Sequence, residues 1–173
     1  KMTHFPVTNS NLSAKHLGIF LQKKYSLSKE TKCQLIKAGI NDTYLITDNL
    51  NRFVFRVYSL NWRTHSEITE EIKLLNELKN NSISVSYPLA DKENNFIQIL
   101  NAPEGDRFAV LFTYAYGEKL HIISAETHYH IGQLMARLHL VTNKQKLNRV
   151  TYTPKLILVD SLKQISNFLK EDT

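Results

Sequence analysis

Gly39-Ile40-Asn41-Asp42-Thr43-Tyr44, then Phe53-Val54-Phe55-Arg56-Val57-Tyr58, then a helical run carrying Glu71: the fold turns on this stretch, Gly39 to Leu78. Gly, Asn and Asp in the first segment tolerate positive φ and read as a turn between two strands. In the second, Phe53, Phe55 and Val57 point to one face and Val54, Arg56 and Tyr58 to the other. Both faces are mostly apolar, as in a central strand covered on both sides. Arg56 is then a cation on an apolar face, where a guanidinium needs an anion. The plainer reading is an edge strand with Arg56 in solvent.

The helix that follows opens on Thr64-His65-Ser66-Glu67, a capping box with Thr64 at the N-cap and Glu67 at N3. Ile68, Leu74, Leu75 and Leu78 form one stripe at helical spacing, and Glu71 falls at its centre. An acid there faces the sheet and pairs with Arg56, or it is a long side chain reaching out to solvent. Two charges on two apolar faces favour the pair. The turn beside them can offer backbone N–H groups to phosphate oxygens, so the stretch has the parts of a phosphate clamp. It is not a Walker A loop, since no Gly-Lys-Ser/Thr follows.

Outward from this centre, Asn11 to Tyr25 has a helical apolar pattern with Ser10 or Asn11 as cap. Strands are expected over Thr31–Ala38, Thr43–Thr47 and Arg52–Tyr58, with a turn at Asp48–Asn51. Ser84 to Leu89 contains Pro88 and reads as an edge strand or loop. Phe96–Leu100 and Arg107–Thr113 flank the turn Ala102–Asp106, and their spacing suggests an antiparallel meander. Tyr114 to Lys119 reads as a linker. Helices follow over Ser124–Val141 and, after Thr153-Pro154, over Lys155–Lys170. The fold class is α+β: an antiparallel sheet with one internal helix, then helices only.

Composition narrows the function. The 173 residues are 42 % hydrophobic, enough for a packed core. There is no membrane-length apolar run and no signal-peptide pattern at Lys1 to Pro6, which reads as a cytoplasmic, soluble chain. Cys33 is alone, so neither a disulfide nor a cysteine zinc site is expected. The net charge of +6 suits an anionic ligand, but the basic residues are scattered. Without a basic stripe interleaved with aromatics, a nucleic-acid partner is not expected. His128 and His130 do not share a helix face and are no metal pair. His139, Tyr114 and Tyr116 read as packing residues.

The motifs above, with Glu71-Ile72-Lys73-Leu74-Leu75, Arg107-Phe108-Ala109-Val110-Leu111-Phe112 and Gly132-Gln133-Leu134-Met135-Ala136-Arg137-Leu138-His139, stand in order between residues 30 and 140. As a set they resemble the amino-terminal lobe of the aminoglycoside phosphotransferase-like kinases. That superfamily also includes choline kinases, type II homoserine kinases and a bacterial stress-response kinase. The resemblance implies a kinase-like small lobe over residues 1–113, a sheet of about five strands with one internal helix. It further implies a hinge over 114–123 and the first helices of a larger lobe over 124–173. Asn41, Asp42 and Thr43 would lie in the hairpin over the ATP phosphates. Arg56 would stand for the phosphate-binding lysine, and Glu71 for its helix partner. Phe112, Thr113 and Tyr114 would lead into the hinge whose backbone meets adenine. Relatives often carry arginine in place of that lysine.

The family's catalytic loop, His-x-Asp-x-x-x-x-Asn, and its later metal-binding aspartate have no counterpart here. After Thr113 the acids are Glu118, Glu126, Asp160, Glu171 and Asp172, and none stands in that pattern. The resemblance therefore implies the ATP-binding portion of an enzyme acting on a small hydroxyl-bearing substrate, with Mg²⁺ ligands and general base supplied from elsewhere. The competing reading is a non-catalytic module that binds nucleotide or protein. Leu134, Leu138, Ile157, Leu158, Leu162 and Ile165 should be partly stranded, with a homodimer through these helices as one outcome.

Overall fold

The structure is a computed structural model that describes residues 11–118, 120, 122–146, 148 and 150–169. Lys1 to Pro6, Ser10, Lys119, Lys170, Glu171 and Asp172, named in the expectations above, lie outside these residues. Helix α1 (Ala14–Tyr25) is followed by β1 (Lys32–Lys37), β2 (Asn41–Asp48) and β3 (Asn51–Tyr58). Then come α2 (His65–Asn80), β4 (Pro88–Leu89), β5 (Ile97–Ala102) and β6 (Gly105–Thr113). Helix α3 (Ala125–Thr142) and a π-helical stretch, Lys155–Asp160, running into α4 (Ser161–Leu169), complete the described chain.

All strand pairs are antiparallel, in the order β1-β2-β3-β6, and β4 and β5 share the far side of β6. Pro88 and Leu89 pair with Phe112 and Leu111, while β5 pairs with β6 from Val110 back to Gly105. Six described strands thus occupy five positions. Strands β5 and β6 form the expected antiparallel hairpin, but β4 pairs with β6 and not with β5, and β6 is inserted between β3 and the β4/β5 pair. Pro88 has no N–H to donate, which helps keep β4 to two residues. The β5–β6 hairpin closes at Ala102 and Gly105, where φ is 134°. A Cβ there would be strained and would meet Leu60 Cδ1 at 3.3 Å.

Strand β3 is central, and the alternation of its side chains feeds two cores. Phe55 and Val57 join Leu17 and Leu21 of α1, Tyr44 and Ile46 of β2, and Ala109 and Leu111 of β6. Tyr58 joins Ile68 and Ile72 of α2 with Val110 and Phe112 of β6 on the opposite face. Each large buried side chain stabilises by about 1.5–3 kcal/mol, so both helices are held mainly by this burial. Tyr44 also donates its hydroxyl to Leu12 O at 2.8 Å, fixing the entry to α1.

Local signals hold with small shifts. The capping box of α2 is complete, Glu67 N donating to Thr64 Oγ1 and Thr64 N to Glu67 Oε2. The cap of α1 is Ser13 rather than Ser10 or Asn11, and its hydroxyl is used by His16 Nδ1 at 2.9 Å. The turn before β2 is shorter than expected. Asn41 and Asp42 already belong to the strand, and neither they nor Gly39 adopt positive φ. The last helix starts as expected, with Leu156 N donating to Thr153 Oγ1 at 3.2 Å, but its first turns are π-helical.

Helix α3 buries none of its residues. Leu134 (41 % exposed), Ile157 (53 %), Leu158 (60 %), Leu162 (65 %) and Ile165 (53 %) are exposed, and Leu138 is half-buried. His139 is exposed as well, which corrects its reading as a packing histidine. No described helix is long and apolar enough to cross a membrane.

Candidate functional site

The α2 face of the sheet is covered at one end only. Alternation places Asn41, Thr43, Leu45 and Thr47 of β2 on this face, all half-buried, while Asp42, Tyr44, Ile46 and Asp48 are buried on the α1 face. Thr43 lies directly across from Arg56, and Asn41 across from Tyr58. The floor of the site is therefore half-open sheet bounded by α2.

Arg56 and Glu71 meet on this floor. Arg56 Nη1 donates to Glu71 Oε1 at 2.8 Å, with the side chains 35 % and 23 % exposed. The pair is partly shielded, not entombed, so a ligand can reach the guanidinium. Beneath it, the buried Phe112 ring lies 4.9 Å from Arg56 Cζ, a cation–π contact that flattens the guanidinium against the sheet. Tyr58 donates its hydroxyl to the second carboxylate oxygen, Glu71 Oε2, at 3.3 Å. Glu71 flanks the buried stripe of α2, which runs through Ile68, Ile72 and Leu78, and does not sit at its centre as the spacing suggested. Leu74 is only half-buried, and Ile72 takes the central place.

Asp42 departs most from expectation. Its carboxylate is on the α1 face, and its Oδ2 accepts from Arg107 Nη2 at 2.9 Å with the two side chains 5 % and 3 % exposed. Arg107 Nε also donates to Tyr58 O at 2.9 Å, and its Nη1 lies 3.5 Å from Glu104. Asp42 thus joins β2, β3 and β6 in a buried ion pair and can offer a ligand on the Arg56 face only its backbone. In the sequence Arg107 opens the run Arg107 to Phe112, where the resemblance gives it no role. Its period-2 position among Ala109 and Leu111 was the available signal, an arginine on an apolar face, like Arg56.

At the far end, Thr113 is more committed than a hinge residue would be. Its N–H donates to Tyr87 O at 3.0 Å, its hydroxyl accepts from Tyr87 N at 3.1 Å, and its carbonyl accepts from the Ser86 hydroxyl. Tyr114 is the first residue past the sheet pairing. It stacks edge-on with Tyr116 at 5.0 Å and lies 5.7 Å from Arg52 Cζ. A cavity of about 380 Å³ lies between 84–87 and 113–116. Near Thr43 and Arg56, Asn41 Oδ1 is a buried acceptor without a protein donor. Such an atom gains about 1–3 kcal/mol from a donor that reaches it.

Elsewhere the electrostatics are structural. Asp48 Oδ1 accepts from Ser28 Oγ, Ser28 N and Thr31 Oγ1, and these bonds hold its carboxyl below the usual range. Burial pushes the Cys33 thiol up to about 11, so it stays protonated at neutral pH. Among the described residues no three His, Cys, Asp or Glu side chains cluster as a metal site.

The family model described as "Phosphotransferase enzyme family" matches residues 32–161. An uncharacterized protein of Synechocystis sp. is 32 % identical over 168 residues, covering 95 % of this chain and 46 % of that protein. Among solved structures, a microcompartment-associated aminopropanol kinase superposes with a TM-score of 0.68 at 18 % identity, covering 85 % of this chain and 47 % of its own. An amicoumacin kinase, solved with AMP-PNP, Ca²⁺ and Ami, superposes with a TM-score of 0.65 at 16 % identity, covering 80 % of this chain and 42 % of its own. At such identities the structural likeness is one of fold. The chain spans less than half the length of each of these three proteins. The family match runs through all six strands, α2 and α3 to the start of α4, and with it the chain belongs to the phosphotransferase enzyme family.

Proposed function

We propose that this chain is the nucleotide-binding portion of a phosphotransferase that moves the γ-phosphate of ATP to a hydroxyl of a small molecule. The observation that carries the reading is the Arg56–Glu71 pair on the half-open face of the sheet. Glu71 engages one nitrogen of the guanidinium, so the others remain to meet phosphate oxygens. Phosphate therefore fits the residues present. Glu71 and the Phe112 ring orient Arg56, and the backbone N–H groups of Asn41 to Thr43 lie at the same end of the site. Adenine is assigned to the opposite end, against backbone from Tyr114 onward, because Thr113 is already bonded to 86–87. Residues 11–113 act as the nucleotide lobe, and 114–123 as the hinge.

Magnesium does not fit the described residues alone, given the absence of an acidic cluster among them. ATP would bring a divalent cation bound to its phosphates, as AMP-PNP and Ca²⁺ occur together in the amicoumacin kinase. When bound, that cation neutralises charge on the transferred phosphoryl group. Its protein ligands and the base that takes the acceptor's proton are assigned to residues outside this stretch. The acceptor is a small hydroxyl-bearing molecule.

Saturation-transfer NMR with Mg·AMP-PNP tests the reading. The adenine protons should show saturation transfer and the phosphorus signals should shift on binding, and Arg56→Ala should remove the phosphorus shift. Absence of binding at millimolar nucleotide, or binding indifferent to Arg56→Ala, would overturn it.

A further inference from the structure

We propose that Tyr58 is a positioning residue of the clamp: its hydroxyl holds one oxygen of Glu71 while the other engages Arg56, which fixes how the guanidinium faces a phosphate. The inference rests on the phosphate reading of Arg56 given above.

The geometry is a divided carboxylate. Arg56 Nη1 takes Glu71 Oε1 at 2.8 Å, and the Tyr58 hydroxyl takes Oε2 at 3.3 Å. A carboxylate and a guanidinium left to themselves prefer two parallel bonds, fork to fork. That arrangement would spend two Arg56 donors on Glu71 and turn its edge away from an incoming anion. The tyrosine works against it by drawing the second oxygen toward its own hydroxyl, which turns the carboxylate away from the parallel fork. Burial, and next the Glu71 charge, push the Tyr58 hydroxyl up to about 12, so at neutral pH it keeps the proton it donates.

Tyr58 is itself held at both ends. Its ring is 2 % exposed, packed with Ile68, Ile72, Val110 and Phe112. Its carbonyl accepts from Arg107 Nε at 2.9 Å, and Arg107 is fixed in turn by the buried Asp42. Its cross-strand partner is Asn41, at the start of the strand that leaves the turn at Gly39. A side chain with two torsions, packed and pinned in this way, sets the height of Glu71 above the sheet with little freedom to drift. Tyr58 stands two residues beyond Arg56, on the same face of β3, and its hydroxyl has no other evident use.

Tyr58→Phe keeps the ring and removes the hydroxyl. Two readouts test it in the 173-residue chain. The first compares AMP-PNP with adenosine by NMR titration. The variant should lose roughly five- to tenfold in AMP-PNP affinity, the effect of one net hydrogen bond, with adenosine affinity unchanged. Equal loss for both ligands would mean a merely structural role, and no loss for either would also overturn the proposal. The second is the ¹⁵N spectrum of the Arg56 guanidinium without ligand, assigned with Arg56→Lys. It should change in Tyr58→Phe, as the pair moves to the two-bond arrangement, and an unchanged spectrum overturns the proposal. If the wild-type chain binds no nucleotide, the phosphate reading fails, while the guanidinium spectrum still decides whether Tyr58 positions Glu71.

Discussion

Arg56, from a central strand, and Glu71, from the helix packed on it, meet at 2.8 Å on a face that solvent can reach. The pair is too exposed to contribute much stability, about 1 kcal/mol or less. What it contributes is orientation of a cation above Phe112. Arg56→Ala should therefore leave the urea midpoint nearly unchanged. The same variant should weaken triphosphate binding roughly tenfold to a hundredfold, the ~1.5–3 kcal/mol of a charged hydrogen bond. Titration of AMP-PNP into wild type and variant gives the comparison; equal affinities would separate the pair from the ligand.

The Asp42–Arg107 pair should behave in the opposite way. Both side chains are buried, and removing one leaves a charge in the core. Arg107→Ala should cost about 3–5 kcal/mol by urea denaturation. The double variant Asp42→Leu, Arg107→Met should recover much of that loss, since a buried pair can be replaced by apolar packing. A single variant as stable as wild type would contradict the burial described here.

Asp48 predicts a pH dependence. Its hydrogen bonds from Ser28 and Thr31 lower its folded-state pKa. Its contribution is then fully present above the unfolded value, about 3.9, and is lost as pH falls through the lower folded value. Asp48→Asn should cost about 1–3 kcal/mol at neutral pH, and the two proteins should converge in strong acid. A gap that persists at about pH 2 would mean the charge is not the source.

This 173-residue chain should show no phosphotransfer by itself. Its acids after Thr113, Glu118, Glu126, Asp160, Glu171 and Asp172, include no catalytic-loop pattern. ATP turnover by a clean preparation, abolished by Arg56→Ala, would show that a base and metal ligands are present after all.

The apolar side chains exposed on α3, on the π-helical stretch and on α4 predict self-association of the isolated chain as concentration rises. Light scattering should report a rising mass, and Leu162→Glu should reduce it. A strict monomer that binds no apolar dye would count against this.

Local chemistry was legible in the residues themselves. The capping box at Thr64, the helices, the hairpin strands and the two-faced character of Phe53 to Tyr58 all follow from spacing and side-chain type, because each depends on residues a few positions apart. The partner of Arg56 was legible too, since an arginine and a glutamate on facing apolar surfaces have few other places to go. Tertiary structure alone decided the rest. That β6 enters between β3 and β4 depends on which edges are free once the hairpins have formed. Asp42 turned to the α1 face because β2 starts two residues earlier than its turn residues suggested, and with period 2 the register decides the face. Arg107 then became its partner across 65 residues of chain, and Tyr58 came to stand between Arg107 and Glu71. Contacts of that length are set by how the sheet closes on itself, which no local pattern encodes.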